Sequence, residues 1–165
     1  MLPFRLLYTL SDFVYLIVYY VVGYRKETVR KNIALALPHL SDAERLVIEK
    51  KSFQHLCDMF LEMIKTMNIS EKEIKKRFVL TNVEVLKKLE EQNKSIALML
   101  AHYASYEWVI SMNYYSSHRS TAIYKKIANP YFDKLVRDIR SRFKSSLVTT
   151  KESVPTIKKN KNQKK

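Results

Sequence analysis

Leu100-Ala101-His102-Tyr103-Ala104-Ser105-Tyr106-Glu107-Trp108 is the stretch on which the reading of this chain turns. It follows a wholly apolar run, Ile96 to Ala101, and sets a histidine five positions before a glutamate. On one continuous helix each residue advances about 100°, so the two side chains would point roughly 140° apart. His102 and Glu107 meet only if the chain turns between them. The spacing predicts a strand ending near Ala101, a turn through Tyr103 and Ala104, and a helix beginning near Ser105. A histidine with a carboxylate on its far nitrogen is the usual general-base arrangement: the carboxylate fixes the tautomer and stabilises the imidazolium. No serine or cysteine sits at a glycine-flanked elbow, so such a base would act directly on a substrate hydroxyl, without a covalent intermediate. A half-exposed histidine and a glutamate that meets the helix dipole explain the same residues equally well. Local sequence leaves both readings open.

Working outward, the pattern downstream alternates. Thr121–Tyr124 reads as a strand, and Asn129-Pro130 starts a helix with a side-chain cap and proline at the first position. Phe132, Leu135, Val136 and Ile139 carry that helix toward Phe143, and Leu147–Thr150 reads as a last strand. Strand, helix, strand, helix, strand from 96 to 150 predicts an α/β arrangement with at least partly parallel pairing: a mixed sheet flanked by helices. Upstream, Phe78–Leu80 reads as a short strand, and Val83 to Glu91 as a helix with Val85, Leu86 and Leu89 inward. Ser41-Asp42-Ala43-Glu44 and Ser70-Glu71-Lys72-Glu73 are capping boxes. The helix after the first carries an apolar stripe of Leu46, Phe53, Cys57, Phe60, Ile64 and Met67, with Glu49 among the polar residues opposite.

The N-terminus differs in kind. Phe13 to Val22 is unbroken apolar and aromatic sequence, flanked by Tyr8, Tyr24 and then Arg25, Lys26, Arg30 and Lys31. Tyrosines suit a membrane interface and basic residues its cytoplasmic side. Arg5 and Asp12 interrupt the first half, so the segment reads as an anchor that either spans the bilayer or lies in its surface, with a buried core helix as the alternative. The division expected is 1–24 membrane anchor, 25–77 helical segment, 78–150 partial α/β domain and 151–165 basic disordered tail. Residues 151–165 hold six lysines and one glutamate without apolar periodicity.

Composition narrows the function. The 165 residues carry a formal charge of +14, with one cysteine and one glycine. One cysteine excludes an intramolecular disulfide and leaves no metal cluster to expect, and a lone Gly23 excludes glycine-rich phosphate loops. The positive charge calls for a polyanionic partner. Nucleic acid is set aside, because the basic clusters lie on separate elements and the apolar N-terminus would be unexplained. A non-catalytic, basic membrane-surface protein remains the alternative to an enzyme.

Several motifs together resemble the bacterial lysophospholipid acyltransferase superfamily, and within it the lipid A biosynthesis late acyltransferases of lauroyl/myristoyl type. They are Leu2-Pro3-Phe4 with Ser11-Asp12, Gly23-Tyr24-Arg25, Val29-Arg30-Lys31-Asn32, Phe53 to Asp58, Ala101-His102-Tyr103 with Glu107-Trp108, Ala122 to Lys125, Asn129 to Asp133, and Arg140-Ser141-Arg142. The resemblance implies an inner-membrane O-acyltransferase at the cytoplasmic face. It would move a fatty acyl chain from acyl carrier protein to a hydroxyl of a lipid A precursor, with no other cofactor. By the same resemblance His102 is the base, Glu107 its orienting partner, and Lys125, Arg140 and Arg142 candidates for holding lipid phosphate or sugar acid. Ala101, Ala104, Ser105 and Tyr106 stand where relatives often have glycine and asparagine. A later acidic motif of the longer relatives is not met by residue 165, so the chain is expected to be a truncated form of such an enzyme, inactive as a fragment by itself.

Overall fold

The computed structural model describes residues 2–118, 120–143 and 145–161. It is mostly helical, with one small parallel sheet, and divides into two units, Met1–Ile64 and Lys65–Lys165.

In the first unit, α1 (Phe4–Leu16) continues as π-helical turns over Ile17–Val22. Gly23 ends the segment in the left-handed region, with φ 65°, where a residue without Cβ has no steric penalty. Phe4–Val22 is long and apolar enough to cross a membrane, the one helix of that kind among the described residues. α2 (Lys26–Ala36) and α3 (Asp42–Thr66) follow. The expected capping box opens α3: the Ser41 amide donates to Glu44 Oε2 at 2.8 Å and the Glu44 amide to Ser41 Oγ at 3.3 Å.

The inward face of α3 departs from the expected stripe. Phe53 and Cys57 are buried as predicted, but Leu46, Phe60, Ile64 and Met67 are exposed. Glu49, assigned to the polar side, is only 2% exposed. Its carboxylate accepts the Tyr19 hydroxyl at 2.8 Å and Arg30 Nε at 2.7 Å. Burial pushes the Glu49 carboxyl up, and these two bonds more than offset it, holding the group below the usual range. Apolar periodicity cannot see a polar residue that brings its own partners inside.

The second unit contains α4 (Glu71–Arg77), α5 (Val83–Glu91), a 3-10 helix (Tyr106–Tyr114), β1 (Thr121–Tyr124), α6 (Pro130–Ser141), β2 (Ser146–Thr149) and α7 (Ser153–Lys161). β1 and β2 pair in parallel, Thr121 opposite Ser146 through Tyr124 opposite Thr149. Asn129 Oδ1 accepts the amides of Tyr131 and Phe132, and Asp133 Oδ1 accepts the Ile127 amide at 2.9 Å. Both side chains act on the β1–α6 connection. They fix where α6 begins, and Val136 and Ile139 then pack inward with Phe143, Trp108, Ile110 and Val148.

Four expectations fail here. Residues 78–80 and 96–101 are not strands, so among the described residues the sheet has two members and is parallel, not mixed. Leu98, Met99 and Leu100 are 52%, 90% and 58% exposed, the reverse of a strand covered on both faces. Apolar composition measures a tendency to be buried, whereas a strand also needs a neighbouring ladder, which is a non-local condition. Val85 on α5 is exposed. The chain beyond residue 151, expected to be disordered, forms α7 as far as Lys161.

A cluster beside α5 is sensitive to pH. Glu90 Oε1 accepts from Ser116 Oγ, from the Ser117 amide at 2.8 Å and from His118 Nδ1 at 3.0 Å. His118 Nε2 faces the Lys94 carbonyl at 2.9 Å. Both partners of the ring only accept, so the ring satisfies both as imidazolium. The Ser116 and His118 bonds bring the Glu90 carboxyl down to about 2, while the Glu90 bond and then the Lys94 carbonyl raise His118. A raised histidine contributes stability below its ordinary value of 6.5, lost as pH climbs through the folded value; a depressed carboxylate contributes above 4.5, lost on acidification. His118→Ala is therefore expected to lower the melting temperature at about pH 5.5 and much less at about pH 9. An equal loss at both values, by thermal melts monitored by circular dichroism, would exclude a charged His118.

Candidate active site

The turn expected between His102 and Glu107 exists, although its flanks differ. The Tyr103 amide donates to the Ala101 carbonyl at 3.0 Å and the Tyr106 amide to the Ala104 carbonyl at 2.9 Å. Ala104 sits in the left-handed region with φ 49°. A stretch without regular secondary structure leads into this turn, and a 3-10 helix starting at Tyr106 leads out of it.

His102 is exposed, and its ring lies against Tyr106 with centroids 4.3 Å apart. Glu107 is 6% exposed, in the first turn of the 3-10 helix. Its carboxylate is gripped by α6: Arg140 Nε donates to Oε2 at 3.0 Å and Nη2 to Oε1 at 2.5 Å. Such a two-pronged pair matches the planar guanidinium fork to the carboxylate. The Glu107 bonds keep Arg140 firmly protonated, and Tyr106 and Tyr124 lie close enough to add to this. Burial pushes the Tyr106 hydroxyl up, with the Glu107 charge adding to it. The site thus joins the 101–105 turn, the 3-10 helix, α6 and the end of β1.

Of the residues singled out from the sequence, Glu107 and Arg140 come together, and His102 lies beside their neighbour Tyr106. No hydrogen bond joins His102 to Glu107. Arg142 donates to the carbonyls of Thr66 and, at 2.6 Å, of Ile69, which close the C-terminal end of α3. The Thr66 carbonyl is one that a helix end leaves unsatisfied, and Ile69 lies just past the turn that follows. Lys125, just past β1, is exposed. Sequence reasoning did not pair Arg140 with Glu107, and nothing local would have done so across 33 positions. It also passed over Lys134 and Arg137, which line an open pocket of about 460 Å³ with Asp138, Ser141 and Leu147. Lys134 in it is bound to Asp138 at 2.5 Å. Among the described residues, no three acidic, histidine or cysteine side chains stand together as metal ligands.

Arg140→Ala leaves the Glu107 charge buried and uncompensated, at an expected cost of about 3–5 kcal/mol in urea denaturation. The double variant Glu107→Leu/Arg140→Met removes both charges and is expected to regain most of that stability. A double variant as unstable as Arg140→Ala would show that the loss comes from packing and not from the orphaned charge.

Among curated proteins, none matches this chain. A family model does, described as bacterial lipid A biosynthesis acyltransferase, and the match runs over residues 1–163. It takes in the 101–107 turn, the Arg140 helix and the apolar N-terminal segment alike. The chain belongs to the bacterial lipid A biosynthesis acyltransferase family.

Proposed function

We propose that this member of the family transfers a fatty acyl chain from acyl carrier protein to a hydroxyl of a lipid A precursor, at the cytoplasmic face of the bacterial inner membrane. The observation that carries the reading is an exposed histidine on a tight turn beside a buried carboxylate whose position is fixed by an arginine. In this mechanism the acceptor hydroxyl gives its proton to His102 as its oxygen bonds to the acyl carbonyl carbon. The thioester carbon–sulfur bond then breaks, and the proton passes from the imidazolium to the departing sulfur. No acyl-enzyme forms.

Glu107 supports the base. Each of its oxygens receives one bond from Arg140 and retains a lone pair, so it accepts the His102 N–H once substrate draws the turn inward. Catalytic hydrogen bonds are commonly loose before substrate binds. Arg140 is then a positioning residue acting through Glu107. It uses two of its five N–H donors there, and the rest remain for phosphate. Lys125 is the proposed mobile phosphate ligand, and Arg142 a second-rank one, since its fork already holds two carbonyls.

The test is acyl transfer from acyl-acyl carrier protein to a Kdo-bearing lipid A precursor in mixed micelles. In a complete family member that carries this turn, His102→Ala is expected to lose about 10²–10⁴-fold in rate with an unchanged circular dichroism spectrum. Undiminished transfer in His102→Ala removes the base role. Membrane binding with no transfer in any longer chain that carries this site favours the alternative, a non-catalytic membrane-surface protein.

A further inference from the structure

The apolar N-terminal segment can meet a bilayer in two ways, and its side chains decide between them. Phe4–Val22 is 19 residues, about 28 Å of helix, close to the roughly 30 Å of a hydrocarbon core. By length it could span. Its polar bonds oppose that. The Tyr8 hydroxyl donates to Glu62 at 2.6 Å, Asp12 accepts Gln54 Nε2 at 2.9 Å, and the Tyr19 hydroxyl donates to Glu49 at 2.8 Å. Partner numbers fall as segment numbers rise, so the segment runs antiparallel along α3. The bonds reach from Tyr8 to Tyr19, about 16 Å of its length.

α3 cannot enter hydrocarbon. It carries Glu44, Arg45, Glu49, Lys50, Lys51, Asp58, Glu62 and Lys65. A segment that crossed the bilayer with this partner would take those charges with it, and one that crossed alone would strip Glu49 and Glu62 of their hydroxyl donors. The opposite face of the segment is a continuous apolar stripe. Leu6, Leu10, Phe13, Ile17, Tyr20 and Tyr24 recur at three- and four-residue steps and are 54%, 44%, 60%, 39%, 60% and 52% exposed. The face toward α3 holds buried Leu7, Ser11 and Tyr19. Exposed Arg5 at one end, and Arg25 and Lys31 at the other, suit anionic headgroups.

We infer that the Phe4–Val22 segment lies in the plane of an anionic lipid surface, stripe down and α3 above it, and does not span. This deepens the membrane placement of the proposed function and rests on it only for the choice of partner. In-plane anchoring of this kind scales with buried apolar area and attraction to anionic lipid.

The full chain is mixed with vesicles of phosphatidylethanolamine and phosphatidylglycerol. Leu6→Trp, Phe13→Trp and Tyr20→Trp variants are then quenched with lipids brominated near the headgroup or near the chain ends. All three tryptophans are expected at the same shallow depth. A graded profile with position 13 at the bilayer centre would overturn the proposal in favour of a span. Absence of vesicle binding, with the chain dimeric in solution, would overturn it in favour of a second copy covering the stripe. The exposed double variant Leu6→Lys/Phe13→Lys is expected to lose about 100-fold or more in vesicle partitioning while melting as the parent does. Acyl transfer is measured on the same samples, so a failed catalytic reading leaves these depths unaffected and a failed anchoring reading leaves His102 untouched.

Discussion

The paired bonds between Glu107 and Arg140 are the constraint around which the second unit is built. They join a residue in the first turn of the 3-10 helix to one near the end of α6. Everything that locates α6 therefore locates the carboxylate. The Asn129 cap, the Asp133 bond to the Ile127 amide, the parallel pairing of β1 with β2 and the inward packing of Val136 and Ile139 all act at that distance. A charge this far from water persists only because its counter-charge is held in register by the fold.

The first unit solves a similar problem by the same means. Glu49 is buried, and it satisfies one oxygen with Tyr19 and the other with Arg30. Lys26 Nζ stands 3.9 Å from the Tyr19 ring centroid, adding positive charge on the other side of that ring. A carboxylate thus sets the height at which the apolar segment rides on α3, just as another sets the position of the turn that carries His102. In both units a buried acid with named partners does what a larger apolar core would do in a bigger domain.

How much of this was legible beforehand follows from the range of the interactions involved. Features closed within a few residues came through: the Ser41 capping box, the Ser70 cap, the Asn129-Pro130 helix start and the turn at Tyr103–Ala104; β1 and the burial of Cys57 were read from apolar composition. Features that depend on particular distant partners mostly did not. Residues 96–101 have the composition of a covered strand and no ladder, while Glu49 has the composition of a surface residue and two partners brought from the π-helical turns after α1 and from α2. Arg140 was singled out through the family resemblance as a candidate for holding lipid phosphate, but its partner Glu107 could be known only once α6 was placed. The family, by contrast, was readable because its motifs are short strings that survive without knowledge of the contacts they make.

Ala104 sets the mechanics of the site. A residue with a Cβ held at φ 49° is strained by about 1 kcal/mol relative to glycine. That tension lies two positions from His102, in an exposed turn, while Glu107 on the other side is clamped and buried. His102 and Glu107 are therefore held unequally: the carboxylate is a fixed post gripped by α6, and the histidine rides on a strained, exposed turn.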